Sequence, residues 1–445
     1  MKTIQTKFLF ITLLMLTPGL RLAAQNKAWT LDDCINYALS RNIQVQQAEL
    51  STNRNQLYTE QARAARLPSF SGSVRQNFYW DKNADSLTGA FGSLEGSNST
   101  SYSLSSSVVL FNGMSVNNQL KQSELELESS RYYAETVKES IELSILNAFL
   151  QVLYAGESVT NAEKQIEATT EQLLLAEERL TLGMVSQSDY LSIKSQLASE
   201  KLTLANARSQ LAIARVSLMQ LMELPVDDYF AVSSPEPDQI LNRNLQPDAA
   251  VVYGEAIAIK PQIKKGELDK ESARLDEKIA KASLLPALSL DAGLGTSYSS
   301  GMSGFSYTDQ LKNQISPSVG LTLSVPIFQK KQAKTSISLA QINLVNAELE
   351  EVNTKNQLRK EIEQATVDVL AAQSEYEASR EQYQAMEESG QVASEKFNLG
   401  LMNSVDYLFE KTNLITAESK LLQSKYNLIF SYKILDFYKG IPLTL

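Results

Sequence analysis

A short turn occurs twice in this sequence, and the distance between the copies constrains most of what the chain can fold into. Residues 178–191 read ERLTLGMVSQSDYL and residues 395–408 read EKFNLGLMNSVDYL, about 217 positions apart in a chain of 445. In each copy a Leu-Gly pair ends a long helical pattern, and Gly183 or Gly400 supplies the left-handed backbone that stops a helix. Ser186 with Asp189, and Asn403 with Asp406, have the spacing of a capping box that opens the next helix. Each copy is therefore expected to be the tip of an antiparallel helical hairpin. The same offset aligns Pro68 with Pro286, Leu110-Phe111 with Ile327-Phe328, and Leu224-Pro225 with Ile441-Pro442. The chain is one tandem duplication, not an array of short repeats.

The pattern assigns residues 25–225 to the first repeat and 248–445 to the second. A linker with several prolines, residues 226–247, lies between them. Residues 1–24 read as a secretory signal: Lys2 and Lys7 precede an apolar run that is too short to span a membrane as a helix. No later run reaches the length of a transmembrane helix. The net charge of −10 and the expected export make nucleic acid an improbable partner. The chain has no histidine, which removes His-based acid/base chemistry and most zinc and haem sites. No constellation for nucleophilic, metal or phosphate chemistry is found, so neither an enzyme nor a cofactor is expected. Cys34, the one cysteine, sits on a helical pattern and reads as a small buried apolar residue.

Within each repeat the periodicity changes twice. Residues 29–67 are helical with a break near Asn42, and Pro68 ends them. Two alternating runs follow, Phe70–Trp80 and Tyr102–Leu110, joined by a polar loop over 81–101. The second repeat has Leu288–Tyr298 and Ile315–Ile327. On one side of these runs stand Phe70, Val74, Leu104, Leu290 and Leu321; on the other stand Ser71, Ser73, Ser103, Ser105 and Thr322. Such runs suit transmembrane β-strands, and they equally suit soluble hairpins with one wet face. Four strands cannot close a barrel, and an open sheet cannot sit in lipid. If the strands cross a membrane, several chains must share one barrel. Each strand pair is followed by about 71 helical residues, Asn112–Leu182 and Gln329–Leu399. Both carry a 3-4 seam, Ile145, Ala148, Val152, Ala155, Val159 and Ile362, Ala365, Val369, Ala372, Tyr376. Shorter helices return, from Ser186 to about Met222 and from Asn403 to about Tyr438.

With that order doubled, the chain resembles the TolC-type outer-membrane efflux family. The carriers are the tips, Leu182-Gly183-Met184 with Ser188-Asp189 and Leu399-Gly400-Leu401 with Val405-Asp406, together with Pro68 and Pro286. The resemblance implies a mainly α fold with transmembrane β: duplicated long hairpins forming an α-barrel, and four strands per chain contributing to a 12-stranded β-barrel shared by a homotrimer. It implies an outer-membrane exit duct for export, with a large periplasmic portion. Its partners would be outer-membrane lipid, a periplasmic adaptor (membrane fusion protein) and an inner-membrane pump. A periplasmic coiled-coil adaptor or scaffold without a pore is the alternative.

The resemblance also marks candidate sites. In the family two aspartate rings narrow the pore; Asp406 matches the first, and Phe409 stands at the second. The pore constriction is thus expected at Asp406 and Phe409, with Asp189 on the other tip. Each aspartate reads equally as a first-turn acid stabilising a helix start. The family's latch uses a Tyr and an Arg where this chain has Phe397 and Met402, so an apolar constriction is expected in its place. Leu182, Gly183, Met184, Leu399, Gly400 and Leu401 are candidate adaptor-docking tips, with packing between neighbouring hairpins as the plain alternative. Phe78, Trp80 and Tyr298 are candidate membrane-interface aromatics, with ordinary sheet packing as the alternative.

Overall fold

The structure is a computed structural model that describes residues 28–82, 93–227, 230–233, 241, 243, 246–302 and 304–445. The expected signal segment, most of the proline-rich linker and the centre of the 81–101 loop lie outside the described residues.

Helix α1 (Leu31–Arg41) opens on a capping box in which Thr30 and Asp33 satisfy each other's backbone N–H groups. Asn42 ends α1 and caps α2 (Ile43–Ala64), its side-chain oxygen accepting from Gln44 N at 2.9 Å. Strands β1 (Ser69–Asp81) and β2 (Glu95–Phe111) follow, and then the 67-residue helix α3 (Ser115–Thr181). Helix α4 (Gln187–Leu221) returns. The second repeat runs α5 (Ala249–Ile259), α6 (Pro261–Ala282), β3 (Ala287–Ser299), α7 (Tyr307–Asn313), β4 (Ser316–Ser324), the 67-residue α8 (Gln332–Asn398) and α9 (Ser404–Tyr438). At 1.5 Å per residue, α3 and α8 are each roughly 100 Å long.

A helix of that length cannot be matched by one partner of half its size. In the first repeat α2 and α4 both lie along α3, and the joint between them is tied: Asn42 Nδ2 donates to Leu221 O, a C-terminal carbonyl of α4, at 3.0 Å. In the second repeat α6 and α9 lie along α8 in the same way. Because α6 also packs on α3, the helices form one row, α2–α3–α6–α8, with α2 and α8 at its flanks. The seam residues Ile145, Ala148, Val152, Ala155, Ile362, Ala365, Val369 and Ala372 are buried as their spacing predicts, whereas Val159 and Tyr376 are half-buried. The largest core cluster joins α1, α3, α4 and α9, and Cys34 lies in it; burial pushes its thiol up to about 12, so it is inert.

The four strands form one antiparallel sheet in the order β1–β2–β3–β4. Register places Val74 opposite Tyr102, Leu104 opposite Leu294 and Leu290 opposite Leu321 on one face. The other face is a ladder of small hydroxyls: Ser71 to Ser105 and Ser73 to Ser103, each at 2.7 Å. Asp291 stands on that face and accepts from Ser107 at 2.7 Å and from Ser289 and Thr322 at 3.0 Å.

Three sequence expectations are corrected here. Strand β2 begins at Glu95, because the Gly/Ser/Asn stretch expected to be loop pairs with residues 75–81 of β1. The register shifts between Val109 and Phe111, so Phe111 stands opposite Leu288 and the alternation expected to run on through Leu110 is broken. The β3–β4 connection, left without an element between the runs Leu288–Tyr298 and Ile315–Ile327, contains the short helix α7.

Candidate functional site

Both hairpin tips lie together at the end of the helices far from the sheet. At the first, Gly183 (φ +72°) completes a Schellman turn in which Met184 N donates to Arg179 O at 2.9 Å. At the second, Gly400 (φ +75°) does the same, and Leu401 N donates to Lys396 O at 2.8 Å. A Cβ on either glycine would meet open space, so the backbone angle alone selects glycine. Leu182, Met184, Leu399 and Leu401 are all exposed beside these glycines.

The two caps differ. Ser186 and Asp189 form the full reciprocal box, with Asp189 N donating to Ser186 Oγ and Ser186 N to the Asp189 carboxylate. At Asn403 the side-chain oxygen accepts from Asp406 N at 2.9 Å, and the Asp406 carboxylate takes the Asn403 amide at 2.8 Å in place of a backbone N–H. Asp406 and Phe409 are exposed on one face of the first two turns of α9, and Val405 joins them. Val405 and Phe409 are one turn apart, so they make an apolar strip with the carboxylate beside it. Asp189 lies elsewhere, in the seam between the tips, where Ser404 Oγ donates to it. Its hydrogen bonds from Ser186 and then Ser404 hold its carboxyl below the usual carboxylate range.

That seam is bonded largely by residues that the sequence reading did not single out. Phe397, which replaces the family's latch tyrosine, stacks on Tyr407 with ring centroids 4.7 Å apart. Yet the tips are also joined by polar bonds from other positions. Arg179, in the last turn of α3, donates to the Asn398 carbonyl at the end of α8 at 2.9 Å, where a cation complements the helix dipole. Gln172 donates to the Tyr407 hydroxyl. Deeper in the seam Lys411 Nζ sits 3.2 Å from Glu200 Oε1, with side chains only 10% and 4% exposed. Thr169 Oγ1 donates to Glu200 and accepts from Lys411, and Gln196 donates to Glu200 at 3.0 Å. Desolvation lowers the Lys411 pKa, and Glu200 opposes it. Glu200 was legible in principle: it interrupts the apolar series Ile193, Leu197, Ala207 on α4, and the matching position in the second repeat is Ala417.

At the other end of the molecule, Phe78 and Trp80 stack at 6.5 Å on the part of the β1–β2 hairpin that outruns β3. Tyr298 packs against Tyr307 of α7 at 4.8 Å. Among the described residues no helix is long and apolar enough to cross a membrane, and no cluster of His, Cys, Asp or Glu has the arrangement of a metal site.

The sequence model of a family described as Outer membrane efflux protein matches residues 34–223 and 252–438. Outer membrane protein TolC of Escherichia coli (strain K12) is 25% identical over 304 residues, covering 67% of this chain and 60% of TolC, less than two thirds of that relative. Outer membrane efflux protein BepC of Brucella suis biovar 1 is 22% identical over 329 residues, 74% of this chain and 69% of BepC. The crystal structure of the Campylobacter jejuni CmeC outer membrane channel matches with a TM-score of 0.79 at 19% identity, covering 94% of this chain and 86% of that one. The structural match shows a shared fold, and the family match covers most of both repeats. The chain belongs to the outer membrane efflux protein family.

Proposed function

We propose that this chain is the outer-membrane exit duct of a multi-component exporter and works as a homotrimer. The observation that carries the reading is a matched pair of open flanks. The sheet ends in unpaired backbone on β1 and on β4, and the helix row ends in α2 and α8. Helix α2 leads into β1 and β4 leads into α8, so each helical flank continues into the sheet edge on its own side. Both flanks are apolar where they should be wet: Ile43, Leu50 and Leu57 recur every seven residues on α2, and Leu339, Ile342, Val345, Leu349 and Val352 line α8. Pairing the β1 edge of one copy with the β4 edge of the next joins unlike surfaces, which makes the contact heterologous and ring-forming. Three copies give a 12-stranded barrel with the hydroxyl ladder inward and the Leu/Val face to lipid, continued by helices through the periplasm.

The same reading gives the tips their roles. The exposed leucines and Met184 around Gly183 and Gly400 offer the adaptor a surface, and the adaptor joins the duct to an inner-membrane pump. The strip Val405–Phe409 with Asp406 lines the narrowest part of the pore, while Asp189 serves the seam. Residues 1–24 are removed on export, and residues 226–247 join the repeats. The duct is passive and has no catalytic centre. The test is the mass and conductance of detergent-purified protein: about three times the mature mass, with ion conduction after reconstitution into planar bilayers. A stable monomer that keeps its β-structure would sink the proposal, since unpaired edges would then face lipid.

A further inference from the structure

Helix α7 has no place in the duct described above, and it is built rather than loose. Gln310, only 2% exposed, accepts from Ser299 N at 2.9 Å and donates to the carbonyls of Ser299, Met302 and Phe305 at 3.1, 3.4 and 3.3 Å. One buried amide thus fixes the course of the whole connection. Thr296 Oγ1 donates to Leu311 O at 2.7 Å, and the Tyr102 and Tyr307 hydroxyls meet at 2.7 Å. Tyr307 also packs on the Tyr298 ring.

These contacts decide which side of the sheet α7 occupies. Thr296 stands opposite Tyr102, and Tyr298 opposite Thr100, in the same alternating set as Leu104, Leu290 and Leu294. The hydroxyl ladder belongs to the other set. Helix α7 therefore lies on the apolar face, outside the barrel, at the end of the strands away from the helices. Its height follows from the strand. Leu288 to Tyr298 is ten residue steps, roughly 33 Å along a strand and about 25 Å along the barrel axis once the usual tilt is applied. That is the full height of a lipid-facing apolar band. Tyr102, Tyr298 and Tyr307 thus stand at its outer rim, where tyrosines sit with rings in acyl chain and hydroxyls in headgroup. Met302, Phe305 and Tyr307 are exposed on α7 and the turn before it, and they extend the band rather than interrupt it.

We infer that α7 is an outer-leaflet anchor: Met302, Phe305 and Tyr307 insert at the boundary between headgroups and acyl chains and fix the depth of the barrel. The inference rests on the lipid-facing reading of the sheet, so the test separates the two. Single tryptophans are introduced at Phe305 (Phe305→Trp) and at Leu321 in mid-strand (Leu321→Trp), both in a Trp80→Phe background. Trp29 remains as a constant signal, roughly 50 Å down the helices from the sheet. Each protein is reconstituted into phosphatidylcholine vesicles brominated either near the headgroup or near the chain ends. Leu321→Trp is expected to be quenched mainly by deep bromine. Phe305→Trp is expected to be quenched at least about twofold more by shallow than by deep bromine, as at an interfacial belt. If Leu321→Trp is quenched while Phe305→Trp responds only to aqueous iodide, α7 stands in water and the anchor is wrong. If neither is quenched, the lipid-facing reading falls and takes the anchor with it.

Discussion

Replacing Glu200 by alanine removes the anionic half of the pair that sits deepest between the two hairpins. Lys411 would then keep its ammonium in a seam where it is 10% exposed, with Thr169 Oγ1 as its remaining partner there. Breaking a buried pair by removing one partner costs about 3–5 kcal/mol, because the other charge stays desolvated and uncompensated. The reverse change, Lys411→Met, leaves Glu200 with donors on Thr169 and Gln196, so its cost belongs at the lower end of that range. Removing both charges avoids the stranded ion, and the double variant should lie within about 1–2 kcal/mol of wild type. The second repeat already carries alanine at the matching place, Ala417, which is buried.

The cost is local, so amide hydrogen exchange is the direct measurement. At about 1.4 kcal/mol per factor of ten, Glu200→Ala should speed exchange over residues 193–200 and 404–411 by more than about a hundredfold. Lys411→Met should do so by about a hundredfold, and the double variant by less than about thirtyfold. There is a pH signature as well. Desolvation sets the folded-state pKa of Lys411 below its ordinary value. Between the two values the open state binds more protons than the closed one, so stability rises with pH there. Without Glu200 the folded-state value falls further, and the penalty of Glu200→Ala should shrink as the solution is made alkaline. If the single variants change exchange by less than about threefold, or if their effects simply add in the double, the buried pair is not what joins the tips.

Two further outcomes bear on the same end of the molecule. In planar bilayers Phe409→Ala should raise resting conductance more than Asp406→Asn does, while Asp406→Asn should mainly weaken cation selectivity and divalent block; a wild-type response from Phe409→Ala, with opening by Asp406→Asn alone, would give closure to the charge ring. Asp189 is stabilised as a carboxylate by Ser186 and Ser404, so its contribution is complete above the ordinary carboxylate range and is lost as pH falls through its lowered folded-state value. Acidification should therefore raise resting conductance more in wild type than in Asp189→Asn.

Much of this architecture is written locally. Gly183 and Gly400 stop their helices through backbone angle alone, Thr30 and Ser186 cap theirs within four residues, and the α3 and α8 seams follow one period. Such features need no knowledge of the rest of the fold. The misses are of another kind. The stretch 95–101 reads as loop by composition, and only the partner strand across from it makes it β. Helix α7 is seven residues long and too short to show a period; its structure rests on Gln310 reaching back to the loop it closes. The polar seam joins residues more than 200 positions apart, such as Thr169 with Lys411 and Asp189 with Ser404. Each of those side chains has an ordinary reading on its own helix, as a cap or a solvated face, and nothing local marks it as half of a pair.

Two hairpins packed side by side in the same orientation meet through unlike faces, and several of the positions that touch also differ between the repeats. Where the first repeat has Asp189 bonded within its own box, the second offers Ser404 as a donor to it. Arg179 reaches from the first hairpin to the carbonyl end of the second, whereas the equivalent Lys396 makes no such bond among the described residues. Glu200 and Lys411 complete the set, with Ala417 and Lys194 at the positions that correspond to them. The shared pattern fixes the length of the helices and the place of the tips. The unshared residues fix which hairpin grips and which is held, and the held one carries Val405, Asp406 and Phe409. On the proposed duct reading, a change confined to the seam is expected to move the strip while the sheet and the long helices stay in place.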